Sequence, residues 1–214
     1  MAKKNVDKVI QNLLNLGKES ELFQRLTVLQ NEINIAHDTK VLAITSINDA
    51  KLSAAFAKAL ADAYRFNNSS CLLIDANLYD PCLLGLVGQE DVLPTDQLYV
   101  DEPAKNNPLS IGCHRKSIDE NNVVVFMDKQ TYPSDAYKTQ AIQTLVKESR
   151  ESYEHIIIVV PTIKDHKEAA LFVDILDSAI LVTERSYTKK RDIYDALVFF
   201  DSVKIPVAKT IVVK

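Results

Sequence analysis

Six short runs rich in Val, Ile and Leu, at 41–45, 71–75, 123–127, 155–160, 178–183 and 207–213, alternate with longer stretches at 51–66, 134–152, 166–176 and 188–202 that carry helical periodicity. Near-continuous apolar runs suit strands buried on both faces, and an intervening helix returns each strand parallel to the one before. The expected fold is therefore α/β, doubly wound, with a mainly parallel sheet and helices on both faces. Ahead of the sheet, Val6, Val9, Ile10, Leu13, Leu14 and Leu16 fall at helical spacing before a stop at Gly17, and Leu22, Phe23, Leu26, Leu29 and Ile33 form a second stripe. These divide the chain into an N-terminal helical arm, 1–38, and an α/β domain, 39–214. Either both stripes pack on that domain, or the short first helix docks on another subunit. The stretch 81–122 is interrupted by Gly85, Gly88, Pro94, Pro103 and Pro108, which predicts short pieces holding one more helix and an edge strand.

A net charge of −4 with scattered basic residues argues against nucleic acid, which demands a concentrated basic face. Cys71, Cys82 and Cys113 are odd in number and form no CxxC pair, so they are expected as reduced thiols in a cytoplasmic protein. No segment approaches the length needed to cross a bilayer, so membrane association is expected only through a partner. His37, His114 and His166 share no metal-ligand spacing. Tyr132, Tyr137, Tyr187 and Tyr194 are scattered and read as packing or surface residues, Lys189, Lys190 and Arg191 as a solvated helix end, and His155 as a surface or half-buried residue.

The stretch from Val41 to Phe56 has the layout of a phosphate-binding loop: a short strand, a tight polar turn and an alanine-rich helix. Such a loop needs glycines, because successive N–H groups must turn inward at backbone angles that side chains resist. No glycine lies between Ser46 and Ser53, and Lys51 and Ser53 are separated by one residue instead of being adjacent. The second strand ends in Asp75, where a metal-organising or catalytic carboxylate would sit in a doubly wound sheet. Asp75 has a plainer reading as the cap of the turn that follows. Asn77 keeps hydrogen-bonding capacity without a charge, and Val159 closes a later strand where a metal's hydration shell would need a carboxylate.

Taken together, Ile44-Thr45-Ser46 with Ala50-Lys51-Leu52-Ser53, then Leu72 to Pro81 (LLIDANLYDP), then Tyr153 to Pro161 (YEHIIIVVP), resemble the bacterial tyrosine kinases of polysaccharide synthesis. These belong to the MinD/ParA-like branch of phosphate-loop ATPases, whose stretches read like ITSxxPGEGKST, LLIDADLRRP and YDYIIIDTPP. The resemblance continues through Val173 to Glu184 and on to the final strand, and Glu21 to Leu26 is similar to the family's ExxRxLR oligomerisation helix. It implies a phosphate-loop NTPase-like fold. Against the family pattern the loop is about two residues short and without glycines, Asn77 replaces an aspartate, Val159 replaces the metal-side aspartate, and Gln24 and Thr27 stand where that helix carries arginines. The sequence ends at Lys214 just after the last strand, so the family's tyrosine-rich tail is expected to be absent.

Each lost electrostatic contact removes about 3–4 kcal/mol of barrier lowering. The resemblance with these departures implies a catalytically inactive relative, an adaptor or regulator in exopolysaccharide or capsule biosynthesis and export. Its expected partner is the cytoplasmic part of a chain-length-determining membrane protein or an active kinase subunit, with a homo-oligomer as a further expectation, at the inner membrane only through that partner. Lys51 and Asp75 are expected as a relic pair bridging each other, with no cofactor and no metal. The alternative is a divergent ATPase or tyrosine autokinase in which Lys51, Ser53, Asp75 and Asn77 hold ATP and magnesium. A MinD/ParA-like positioning protein is a third reading and requires an ATP-gated dimer.

Overall fold

The computed structural model describes residues 2–37, 39–88, 93–94, 113–138, 140–185 and 187–213. Helices α1 (Ala2–Leu14) and α2 (Glu21–His37) precede strand β1 (Val41–Ser46), helix α3 (Ala50–Phe66) and strand β2 (Cys71–Asp75). A short helix α4 (Leu83–Val87) leads to β3 (Leu93–Pro94), β4 (Cys113–Ser117) and β5 (Asn122–Met127). Then come α5 (Pro133–Lys138), α6 (Ala141–Ser149), β6 (His155–Val159), a 3-10 helix (Glu168–Phe172), β7 (Ser178–Glu184), α7 (Lys190–Ser202) and β8 (Val207–Val213). All six expected strands form. The helix and edge strand expected within 81–122 are α4 and the two-residue β3, with β4 an additional strand inside that edge, while Pro103 and Pro108 lie outside the described residues.

Among the described residues eight strands lie in the order β3-β4-β5-β2-β6-β1-β7-β8, parallel throughout except that β4 runs antiparallel to both β3 and β5. Strands β1, β2, β5 and β7 are buried along their whole length because helices cover both faces. On one face α3 and the arm helices pack over Leu42, Ile44, Leu73, Ile157 and Val182; on the other α5, α6 and α7 pack over Val41, Ile74, Ile156 and Leu181. The stripe of α1 is spent inside the molecule: Val6, Ile10 and Leu13 are buried in the core that contains α3.

Two helix expectations need correction. The stretch 134–152 is two helices, because Gln140 adopts φ 60°, a left-handed conformation that no helix interior accepts. The break lets Tyr137 donate to the carbonyl of Ala76 while Ile142 and Val146 meet the sheet. The stretch 166–176 closes only a 3-10 turn. Phe172, Ile175 and Leu176 have helical spacing and are all buried, but the 3-10 helix ends at Phe172 and turns carry the chain from there to β7 at Ser178.

Candidate functional site at the carboxyl ends of the strands

Strands β2, β6, β1 and β7 are adjacent and parallel, so their carboxyl ends share one edge, the position of the ligand crevice in this type of sheet. The turn after β1 is closed by its own residues. Ser46 Oγ donates to the carbonyl of Asp49 at 2.5 Å and accepts from the Asp49 N–H at 3.1 Å. Asp49 is extended, at φ −138°, and its carboxylate accepts the N–H of Leu52 at 3.0 Å as the N-cap of α3. Non-glycine residues with positive φ are Asn68, Gln140 and Lys204 among the described residues, so none lies in this turn. An anion nest alternates right- and left-handed residues to aim successive N–H groups inward, and that alternation is absent. The positive end of α3, which attracts anions, is answered by a carboxylate of the chain itself.

Lys51 is exposed on the first turn of α3. The Ser53 hydroxyl is buried and donates to the carbonyl of Ala50 at 2.9 Å, inside its own helix. The expected bridge between Lys51 and Asp75 is not formed. Asp75 is 0% exposed, with Oδ2 accepting the N–H groups of Cys82 and Leu83, each at 2.8 Å, and Oδ1 accepting that of Asn77 at 3.2 Å. The plainer reading of Asp75 as a turn cap is the one the structure realises. Burial pushes its pKa up to about 6, against the pull of the three amides, and the nearby Asp80 adds to the rise. Asn77, also buried, spans the same turn: its Nδ2 donates to the Asp80 carbonyl at 2.9 Å and its Oδ1 accepts the Asp80 N–H at 3.3 Å. Val159 lies in register with both Ile44 and Asp75, so an aliphatic side chain sits between the two strand ends where a metal would need oxygen. These donors do not fit a nucleotide-bound magnesium ion, since the hydroxyl and the carboxylate that would hold it are already satisfied internally.

Further residues shape this edge without a signal strong enough to single them out in the sequence. Tyr137 accepts the N–H of Leu78 at 3.0 Å and donates to Ala76, clamping the Asp75 loop from the opposite face. Tyr79 donates to Glu168 at 2.5 Å and stacks on His166 at 3.6 Å, tying that loop to the 3-10 helix. Asp49 could have been found: an aspartate immediately before an alanine-rich periodic stretch is a helix-start signal. Of the remaining sequence candidates, Tyr132, Tyr187 and Tyr194 are exposed, and His155 is half-buried against Tyr64 at 3.8 Å, away from this edge at the start of β6. Among the described residues no His, Cys, Asp and Glu cluster suits a metal, and no helix is long and apolar enough to cross a membrane. The side chain of His37 and the terminal Lys214 lie outside the described residues.

No protein-family model and no curated protein matches the sequence. Solved structures do. The chimerical protein CapA2B2 superposes with a TM-score of 0.75 at 16% identity, over 94% of this chain and 88% of that one. The kinase domain of the Escherichia coli tyrosine kinase ETK gives 0.72 at 16% identity, over 89% and 74%. A ParA family ATPase from Chlorobium tepidum gives 0.58 at 14% identity, over 81% and 72%. With its mainly parallel sheet and helices on both faces, the chain has the phosphate-loop NTPase-like α/β fold that bacterial tyrosine kinase domains share with ParA-type ATPases.

Proposed function

We propose that this chain is a catalytically inactive relative of the polysaccharide tyrosine kinases, acting as an adaptor in exopolysaccharide or capsule assembly. It would bind the cytoplasmic part of a chain-length-determining membrane protein or an active kinase subunit. The observation that carries this reading is Asp49: its carboxylate caps α3 where a nucleotide phosphate would have to approach, in a turn with no inward nest of amides. Bringing a polyphosphate there sets like charges together, and removing the cap from α3 costs about 1 kcal/mol before any contact is made. Calorimetric titration with ATP and magnesium should give no heat of binding. Tight binding with hydrolysis that disappears in Lys51→Ala would overturn the reading.

One observation favours the alternative, a divergent ATPase or autokinase that binds ATP and magnesium in a rebuilt pocket: Lys51 is exposed at the mouth of α3, where an ammonium group could meet a phosphate. Incubation with labelled ATP and a candidate partner separates the two, because the adaptor transfers no phosphate.

A further inference from the structure

A cleft of about 440 Å³ opens beside the turn after β1, bounded by α1, the first turn of α3 and the end of β7. Its volume falls in the range of small-ligand sites. Val6 and Ile10 of α1, Leu52 of α3 and Val182 of β7 supply apolar walls. Among the described residues the carboxylates of Asp7, Asp49 and Glu184 line it, Glu184 already engaged in an interaction of its own, together with the ammonium of Lys51. Thr183, only 2% exposed, also lines the cleft, and its Oγ1 has no hydrogen-bond partner among the described residues. A buried hydroxyl without a partner carries a desolvation penalty that a ligand's N–H would relieve. Apolar walls, an excess of carboxylate and an unsatisfied acceptor together describe a receptor for an organic cation.

We infer that this cleft binds an alkylguanidinium or alkylammonium group, the stem lying on Val6, Ile10 and Leu52 and the head meeting Asp7, Asp49 and Thr183. That chemistry is shared by a free amine metabolite and by an arginine or lysine side chain offered by a protein. The inference rests on the reading of this edge as one closed to nucleotide phosphates. It inverts the charge of the ligand expected from the fold, and so makes a prediction of opposite sign at Lys51. In a phosphate site Lys51→Gln weakens binding; in a cation site it removes a like charge and strengthens it.

The test is titration of the whole ¹⁵N-labelled chain, in separate experiments, with agmatine, with N-acetyl-arginine amide and with ATP plus magnesium. Shifts are expected at the amides of Asp49, Thr183 and Glu184 with one or both guanidinium probes, at dissociation constants of about 1 mM or tighter. Asp7→Asn and Asp49→Asn, of which the second retains a good N-cap residue, should each weaken that binding about fivefold, and Lys51→Gln should tighten it by a similar factor. Preference for agmatine points to a free amine, and preference for the blocked arginine points to a protein side chain; both support the assignment. Silence with both guanidinium probes, shifts confined to other parts of the molecule, or weakening by Lys51→Gln would overturn it. If ATP is silent as well, only the cation site falls; if ATP binds at these amides and Lys51→Gln abolishes it, the proposed function falls too.

Discussion

Asp75 and Asp177 each hold the end of a strand in place by accepting backbone amides, and they do so with different means. Asp177 stands before β7, and its Oδ2 accepts the N–H groups of Lys40 and Val41 at 2.9 and 2.6 Å at the start of β1, while its Oδ1 meets the Arg150 guanidinium at 2.8 Å. Asp75, at the opposite end of the sheet, accepts three amides and meets no cation among the described residues: it is fully buried beside Val159. Hydrogen bonds satisfy both carboxylates, but only Asp177 has its charge matched. That difference explains why burial dominates at Asp75 and raises its pKa to about 6. Amides alone do not replace the positive charge that a metal or an arginine brings.

Removing either carboxylate should unequally damage the two ends. Asp75→Ala strands the buried amides of Asn77, Cys82 and Leu83, and should cost about 4 kcal/mol in urea-denaturation stability, less than three full desolvation penalties because the unmatched charge leaves too. The comparison sharpens with pH. A carboxyl at 3.8 unfolded and about 6 folded binds its proton more tightly in the native state, so its contribution is complete below the unfolded value and is lost as pH rises through about 6. From pH 4 to pH 7 the wild type should lose roughly 2.4 kcal/mol relative to Asp75→Asn, read from paired denaturation curves.

Asp177→Ala leaves Arg150 and two amides to part-exposed surroundings, and should cost about 2 kcal/mol, with Arg150→Ala costing somewhat less. If Asp177→Ala proves more harmful than Asp75→Ala, the unmatched charge outweighs the three amides and the comparison reverses. The smallest effect belongs to the turn after β1: Asp49→Ala should cost about 1 kcal/mol of thermal or urea stability and Asp49→Asn a few tenths, as expected of an N-cap.

The sheet was legible because its strands are buried on both faces: LAIT, LLID and IIIV leave little room for another assignment, and their strand ends locate the crevice. The bridge between Lys51 and Asp75 was not a safe deduction, because Asp75 turns toward the start of α4 and residues Cys82 and Leu83 carry no side-chain feature announcing that their amides are needed. Gln140 is equally silent, since a left-handed glutamine has no sequence signature of the kind a glycine has. The apolar residues of the 3-10 segment matched a helical pattern over too few turns to tell one helix from the other. Thr183 and Glu184 appeared only as the end of a strand. What gathers them into a cleft is α1 lying across α3, a tertiary arrangement that local periodicity does not encode.

The turn from Ser46 to Asp49 has one more consequence. A cradle of glycines loses more chain entropy on ordering than any other loop, a cost that the contacts of a bound ligand offset. Here Ile47, Asn48 and Asp49 reach their positions at ordinary backbone angles and lock through Ser46. The strand end is thus finished during folding, and nothing about its shape waits for a small molecule to arrive. Amide exchange at Asp49 and Leu52 should already be slow in the isolated chain.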